Sequence, residues 1–185
     1  LQLGVPFAPK TGDDDLQGLR FVWVLPAAGA PTFTGQMNGT ITLNLNEADD
    51  AHREATRVSF GEPQRTVLGH LRHELSHYFF HRFVEGWSAI EDFRATFGDE
   101  RVDYNAALER HYQQGAAADW QQHFVSAYAS AHPWEDWAET CAHYLLMIEA
   151  VDTAAACLPG FAFKKLWHCS IAGIALPQPM PTTST

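Results

Sequence analysis

Apolar and polar positions change their repeat once along this chain, from alternation in the first third to a helical period afterwards. Phe21-Val22-Trp23-Val24-Leu25 is a short apolar run closed by Pro26 and reads as a strand. After the turn signal Asn38-Gly39, Ile41, Leu43 and Leu45 alternate with Thr42 and Asn44, which predicts a second strand with one buried and one polar face. That strand is expected to form a cleft edge where an extended chain could add by pairing. Asn46 is placed to cap a helix from Ala48 to Val58, with Glu47, Asp49 and Asp50 favourable near its positive end.

From Pro63 the period becomes helical. A long helix is predicted to about Val84, before Gly86, with Val67, Leu68, Leu71, Leu75, Tyr78 and Phe79 on its apolar face. Further helices are expected at Ala89–Phe97, Val102–Gln114, Asp119–Ala131 and Trp134–Ala150, with Pro133 breaking the last two apart. No internal repeat is visible. The fold class is α+β: a small N-terminal sheet followed by a helical body. Residues 1–175 are expected to form a single domain, and the Pro- and Thr-rich residues 176–185 a disordered tail.

Composition narrows the function classes. The chain has 185 residues, 46% hydrophobic and 12% aromatic, enough for a substantial core. A formal charge of −10 and scattered basic residues argue against a nucleic-acid surface and against anionic membranes as partners. Cys141, Cys157 and Cys169 lack a Cys-x-x-Cys spacing and read as free thiols of a reducing, cytoplasmic setting. The sequence opens on Leu1, which reads as a fragment or a processed product. No Gly-rich phosphate loop and no Gly-x-Ser-x-Gly elbow is present, so nucleotide binding and serine hydrolysis have no support.

The chemistry-bearing segment is His73-Glu74-Leu75-Ser76-His77. Two His four apart lie one above the other on a helix and can reach one Zn²⁺ at about 2.0–2.1 Å. Glu74, between them, is angled to hold a water rather than the ion, in the His-Glu-x-x-His pattern of zinc peptidases. A third ligand is still needed. His70 and His81 continue the stripe, but His73 to His81 spans about 12 Å of helix at 1.5 Å per residue, too far for one ion. Glu135 and Glu139, four apart on the last long helix and off its apolar stripe of Trp134, Trp137, Cys141, Tyr144, Leu145 and Ile148, are the better candidates. His52, His111, His123 and His168 read as ordinary surface or structural histidines.

At these residues the sequence resembles a family. Gly61 through Tyr78, Phe97-Gly-Asp-Glu-Arg101, Ala117-Ala-Asp-Trp120 and Phe124 through Thr140 look like the bacterial zinc-binding metallopeptidases, in order and without gaps inside each block. The resemblance runs from about Leu3 to Ala155. Ser76 stands where that family usually has Gly, and Phe80 where it usually has Trp; neither change removes a ligand. Members are often preceded by a zinc ribbon, absent from this sequence. More distantly, the later Glu-x-x-x-Glu helix is similar to that of gluzincin peptidases, including the anthrax lethal factor type. The resemblance implies a zincin-like fold, one Zn²⁺ on His73, His77 and Glu135, and Glu139 supporting a ligand His. It also implies Glu74 as general base, Tyr128 as the donor to the developing oxyanion in preference to Tyr104, Tyr112 or His132, and a peptide or protein substrate. Two rival readings stand beside this one. One is a metal-binding module without turnover, its zinc closed by His70 or His143. The other is a helical interaction protein with a fortuitous motif.

Overall fold

The structure is a computed structural model describing residues 7–26, 34–60, 62 and 65–157. Residues 176–185 and Cys169 lie outside the described residues, as does Pro63. The architecture is α+β, with three strands and five α-helices among the described residues. Strands β1 (Arg20–Val24), β2 (Gly35–Met37) and β3 (Thr40–Asn44) form one sheet in the order β1-β3-β2, with β1 parallel and β2 antiparallel to β3. Asn38 and Gly39 both have positive φ (49° and 75°), the left-handed pair that a tight β2–β3 hairpin demands. The expected alternation holds in β3: Ile41 and Leu43 are buried, Thr42 is half-buried.

One expectation is corrected here. β3 is the central strand, with both of its edges paired, and the edge next to the helical body is β2, too short and polar to announce itself in the sequence.

Helix α1 spans Asp50–Phe60. It does not begin under an Asn46 cap: Leu45–Ala48 form a 3-10 turn, and the Asn44 side chain accepts the Asn46 N–H at 2.9 Å. Helix α2 (Val67–Phe83) starts later than the sequence suggests, because the Thr66 hydroxyl accepts the Gly69 N–H at 2.9 Å and caps it there. Its buried face is also rotated from the expected one. Phe80 is buried beside Tyr78 and Phe79, whereas Leu68 is 58% exposed. Helices α3 (Ile90–Phe97) and α4 (Tyr104–Gln114) fall near their expected positions.

The helix expected over Asp119–Ala131 is absent. Two short 3-10 turns, Trp120–Gln122 and Tyr128–Ala131, stand there instead. Pro133 then opens helix α5 (Pro133–Cys157), where its missing N–H costs nothing. The His132 carbonyl accepts from both Glu135 and Asp136, and its Nδ1 accepts from Trp134 at 3.1 Å.

The core is the seam between α2 and α5, closed by α3. Trp137, 1% exposed, packs on Phe80, Phe93 and Phe97 and donates its indole N–H to the Ser76 carbonyl at 2.7 Å. Ser76 is fully buried and small enough to admit that indole, its own hydroxyl turned back to the Arg72 carbonyl. Cys141 and Cys157 are free thiols, the first buried and the second exposed. Among the described residues no helix is long and apolar enough to cross a membrane.

Candidate metal centre

Both His of the motif lie on the side of α2 that faces α5, because 400° of helical rotation over four residues returns nearly to the same direction. Their Nε2 atoms are 3.1 Å apart. Glu135 reaches them from the first turn of α5: its Oε2 lies 3.1 Å from Nε2 of His73 and 3.6 Å from Nε2 of His77. Four tetrahedral ligands at about 2.0–2.1 Å from zinc stand roughly 3.3 Å from one another. The three observed separations bracket that value, so the trio fits one such ion.

The hydrogen bonding agrees. Nδ1 of His73 meets Oε1 of Glu139 at 2.7 Å, so the neutral ring keeps its proton there, and a metal ion would take the place of the second proton at Nε2. Glu135 is 1% exposed, yet its buried Oε2 accepts no hydrogen bond of good geometry. A carboxylate oxygen orphaned in the interior, facing two imidazole nitrogens, is arranged for a cation rather than for a hydrogen-bond donor. Among the described residues, His73, His77 and Glu135 form the group of His, Cys, Asp and Glu able to hold a metal. His143 is exposed and bonded to the Glu139 carbonyl of its own helix, and His70 faces Glu47 at 3.8 Å, so neither joins as a fourth ligand. His81 pairs with Glu85 at 2.6 Å, one helix turn further out.

Electrostatics within the cluster are strong. Burial disfavours charge on His73, but the Glu135 and Glu139 carboxylates outweigh it and raise the imidazole to about 10. Burial likewise opposes the charge on Glu135, and the two imidazoles overcome it, holding the carboxyl well below its usual range. Glu74 differs. It is 8% exposed, and burial, only partly offset by His73 and His77, raises its carboxyl above the ordinary value. The Gln36 backbone on β2 adds a hydrogen bond to it, so the sheet edge and the motif helix meet at this residue.

Two tyrosines complete the surroundings. Tyr128, on the second 3-10 turn rather than at a helix end, lies near His73 with the rings tilted by 39° and their centroids 6.1 Å apart. Burial and then the Glu135 charge raise its hydroxyl far above the phenol range, so it is a permanent donor. Tyr104 opens α4, and its hydroxyl donates to Oε1 of Glu135 at 2.6 Å. Sequence alone does not single out Tyr104. Its only signal there was an aromatic beside Asp103, which caps α4 through the Ala106 N–H, and nothing local indicates that the residue meets another helix 31 positions later. His132 is committed elsewhere, its Nε2 on the Val102 carbonyl and its Nδ1 on Trp134.

Comparison with known proteins agrees with this geometry. The chain is 48% identical over 157 residues to uncharacterized proteins of Mycobacterium bovis and Mycobacterium tuberculosis, an alignment covering 84% of this chain and 46% of each relative. It therefore spans less than half the length of these relatives. No solved structure matches it. A family profile matches residues 1–171, and the chain accordingly belongs to the family described as "Putative zinc-binding metallo-peptidase".

Proposed function

We propose that this chain is a zinc-dependent hydrolase of the gluzincin type, on a zincin-like scaffold, which cleaves amide bonds in peptides or proteins. The observation that carries the reading is the convergence of Nε2 of His73, Nε2 of His77 and Oε2 of Glu135 beside the buried carboxyl of Glu74. Bound there, Zn²⁺ supplies Lewis acidity, which acidifies a water and polarises a substrate carbonyl. Glu74 acts as general base, taking a proton from the attacking water and returning it to the leaving amine nitrogen. Tyr128 donates its hydroxyl to the carbonyl oxygen as negative charge develops there. Glu139 fixes the His73 ring and its tautomer. An extended substrate adds along the sheet edge at β2, where the Gln36 backbone meets Glu74.

A purified chain that binds one zinc per molecule and cleaves members of a diverse peptide library, with cleavage lost in Glu74→Gln, would bear this out. Stoichiometric zinc with no cleavage, identical in wild type and Glu74→Gln, would instead indicate a metal-binding module. His143 is bonded to its own helix and His70 stands outside the cluster, which speaks against such a closed site, since that requires a fourth protein ligand.

A further inference from the structure

Glu135 offers its two oxygens to two different environments. Oε2 faces the imidazole pair without a hydrogen bond, and Oε1 receives the Tyr104 hydroxyl at 2.6 Å. That phenol is held from three sides. Its ring meets His132 edge-on at 5.1 Å and Trp134 at 5.7 Å. The starts of α4 and α5 are joined just behind it by the His132 Nε2 bond to the Val102 carbonyl, 3.0 Å long. Tyr104 is half-buried and Glu135 almost wholly buried, so no solvent competes for Oε1.

We infer that Tyr104 is a positioning residue for the third metal ligand, occupying Oε1 of Glu135 so that Oε2 alone is presented between His73 and His77. The inference deepens the proposed zinc site and rests on it. A carboxylate bound through one oxygen leaves room on the ion for water and substrate, whereas one that swings to bind through both crowds that position. Swinging would require breaking a short, charge-assisted O–H···O bond in a buried setting. The same bond separates the roles of the two tyrosines. The Tyr104 proton is committed to Glu135, whereas the Tyr128 hydroxyl, which meets those of Tyr104 and Tyr112, is the one left to exchange a tyrosine partner for a substrate oxygen.

The test is a double-mutant cycle on zinc affinity, measured in the full chain by competition with a chromophoric chelator. Tyr104→Phe removes the donor and keeps the ring, and should weaken zinc by about 10–100-fold. In Glu135→Ala the acceptor is gone, so adding Tyr104→Phe should change affinity by no more than about threefold. Substituted Co²⁺ should also show a changed visible spectrum in Tyr104→Phe, reporting altered coordination. Tyr104→His, which keeps a flat ring and an N–H donor, should recover part of the lost affinity, and it serves the same comparison should Tyr104→Phe fail to fold. Zinc binding within about threefold of wild type in Tyr104→Phe, or a loss that adds in full to that of Glu135→Ala, overturns the inference and leaves the zinc site standing. A wild type that binds no zinc, or a Glu135→Gln that binds it normally, overturns the site itself.

Discussion

Glu139 meets Nδ1 of His73 at 2.7 Å, on the far side of the ring from the nitrogen that faces Glu135. One carboxylate therefore orients the ring and the other stands where a ligand would. The two differ in what their loss should do. Glu139→Gln should weaken zinc by about 10–100-fold, since an amide can still meet the ring but no longer polarises it. Glu135→Gln should weaken it more. Chelator competition gives both numbers, and the opposite order would exchange the two roles.

Glu74→Gln should retain zinc and fold while lowering the turnover rate by about 10²–10⁴. A buried carboxyl raised above its ordinary value also sets the acid side of the pH profile. The base must be ionised to accept a proton, so kcat/KM should rise with pH as Glu74 ionises, a step that burial shifts upward. An acid limb that persists unchanged in Glu74→Gln would assign it to another group.

Tyr128→Phe should lower turnover by roughly 10- to 1000-fold with zinc content nearly unchanged, the mark of a donor used only as charge builds on the substrate. Its ring lies 6.1 Å from that of His73, close enough to serve a carbonyl held at the cluster. A turnover within threefold of wild type would remove it from the chemistry.

Asp136 gives a stability prediction with a defined sign. It is 9% exposed, and burial raises its carboxyl to about 6 against an ordinary 3.8. The folded state prefers the neutral acid, so ionisation costs stability as pH rises from about 4 to 6, and the full penalty persists above that. Asp136→Asn removes the penalty. It should stabilise the fold by about 1–2 kcal/mol at pH 7, after allowance for the favourable helix N-terminus, and by nearly nothing below pH 4. Thermal melts at the two pH values decide it, and a destabilised variant at pH 7 would contradict it.

Trp137→Ala should cost about 3–5 kcal/mol, because it empties the space between Phe80, Phe93 and Phe97 and strips the Ser76 carbonyl of its donor. Urea titration should show the midpoint falling in proportion.

What the sequence carried depended on whether a signal was local. The His73–Glu74–His77 spacing contains its own geometry, since a helix fixes where those side chains point, whereas spacing made Glu135 and Glu139 only candidates and their separate roles came from the family resemblance. The hairpin turn was legible because Asn38-Gly39 is among the few pairs at ease with two positive φ values. The false helix over Asp119–Ala131 arose because helix-forming residues there lack a face to bury. His123 and Val125 are exposed and the chain turns instead to carry Tyr128 toward His73. The centrality of β3 was hidden because β2 is only three residues long, and Tyr104 because its partner lies on another helix. Pairings across the fold leave no periodic trace.

His73, His77 and Glu135 sit on both sides of the α2–α5 seam, which is also where Trp137 meets Ser76 and the apolar core closes. An ion held there would be a fastener as well as a reagent, joining the two halves of the hydrophobic interior at a single point. Any binder specific to the native state shifts unfolding by RT ln(1 + [L]/Kd), about 4 kcal/mol at a thousandfold excess over Kd. Stripping zinc with a chelator should therefore lower the melting temperature as well as silence the chemistry. In a cell, the lifetime of the polypeptide would then track the local supply of the metal.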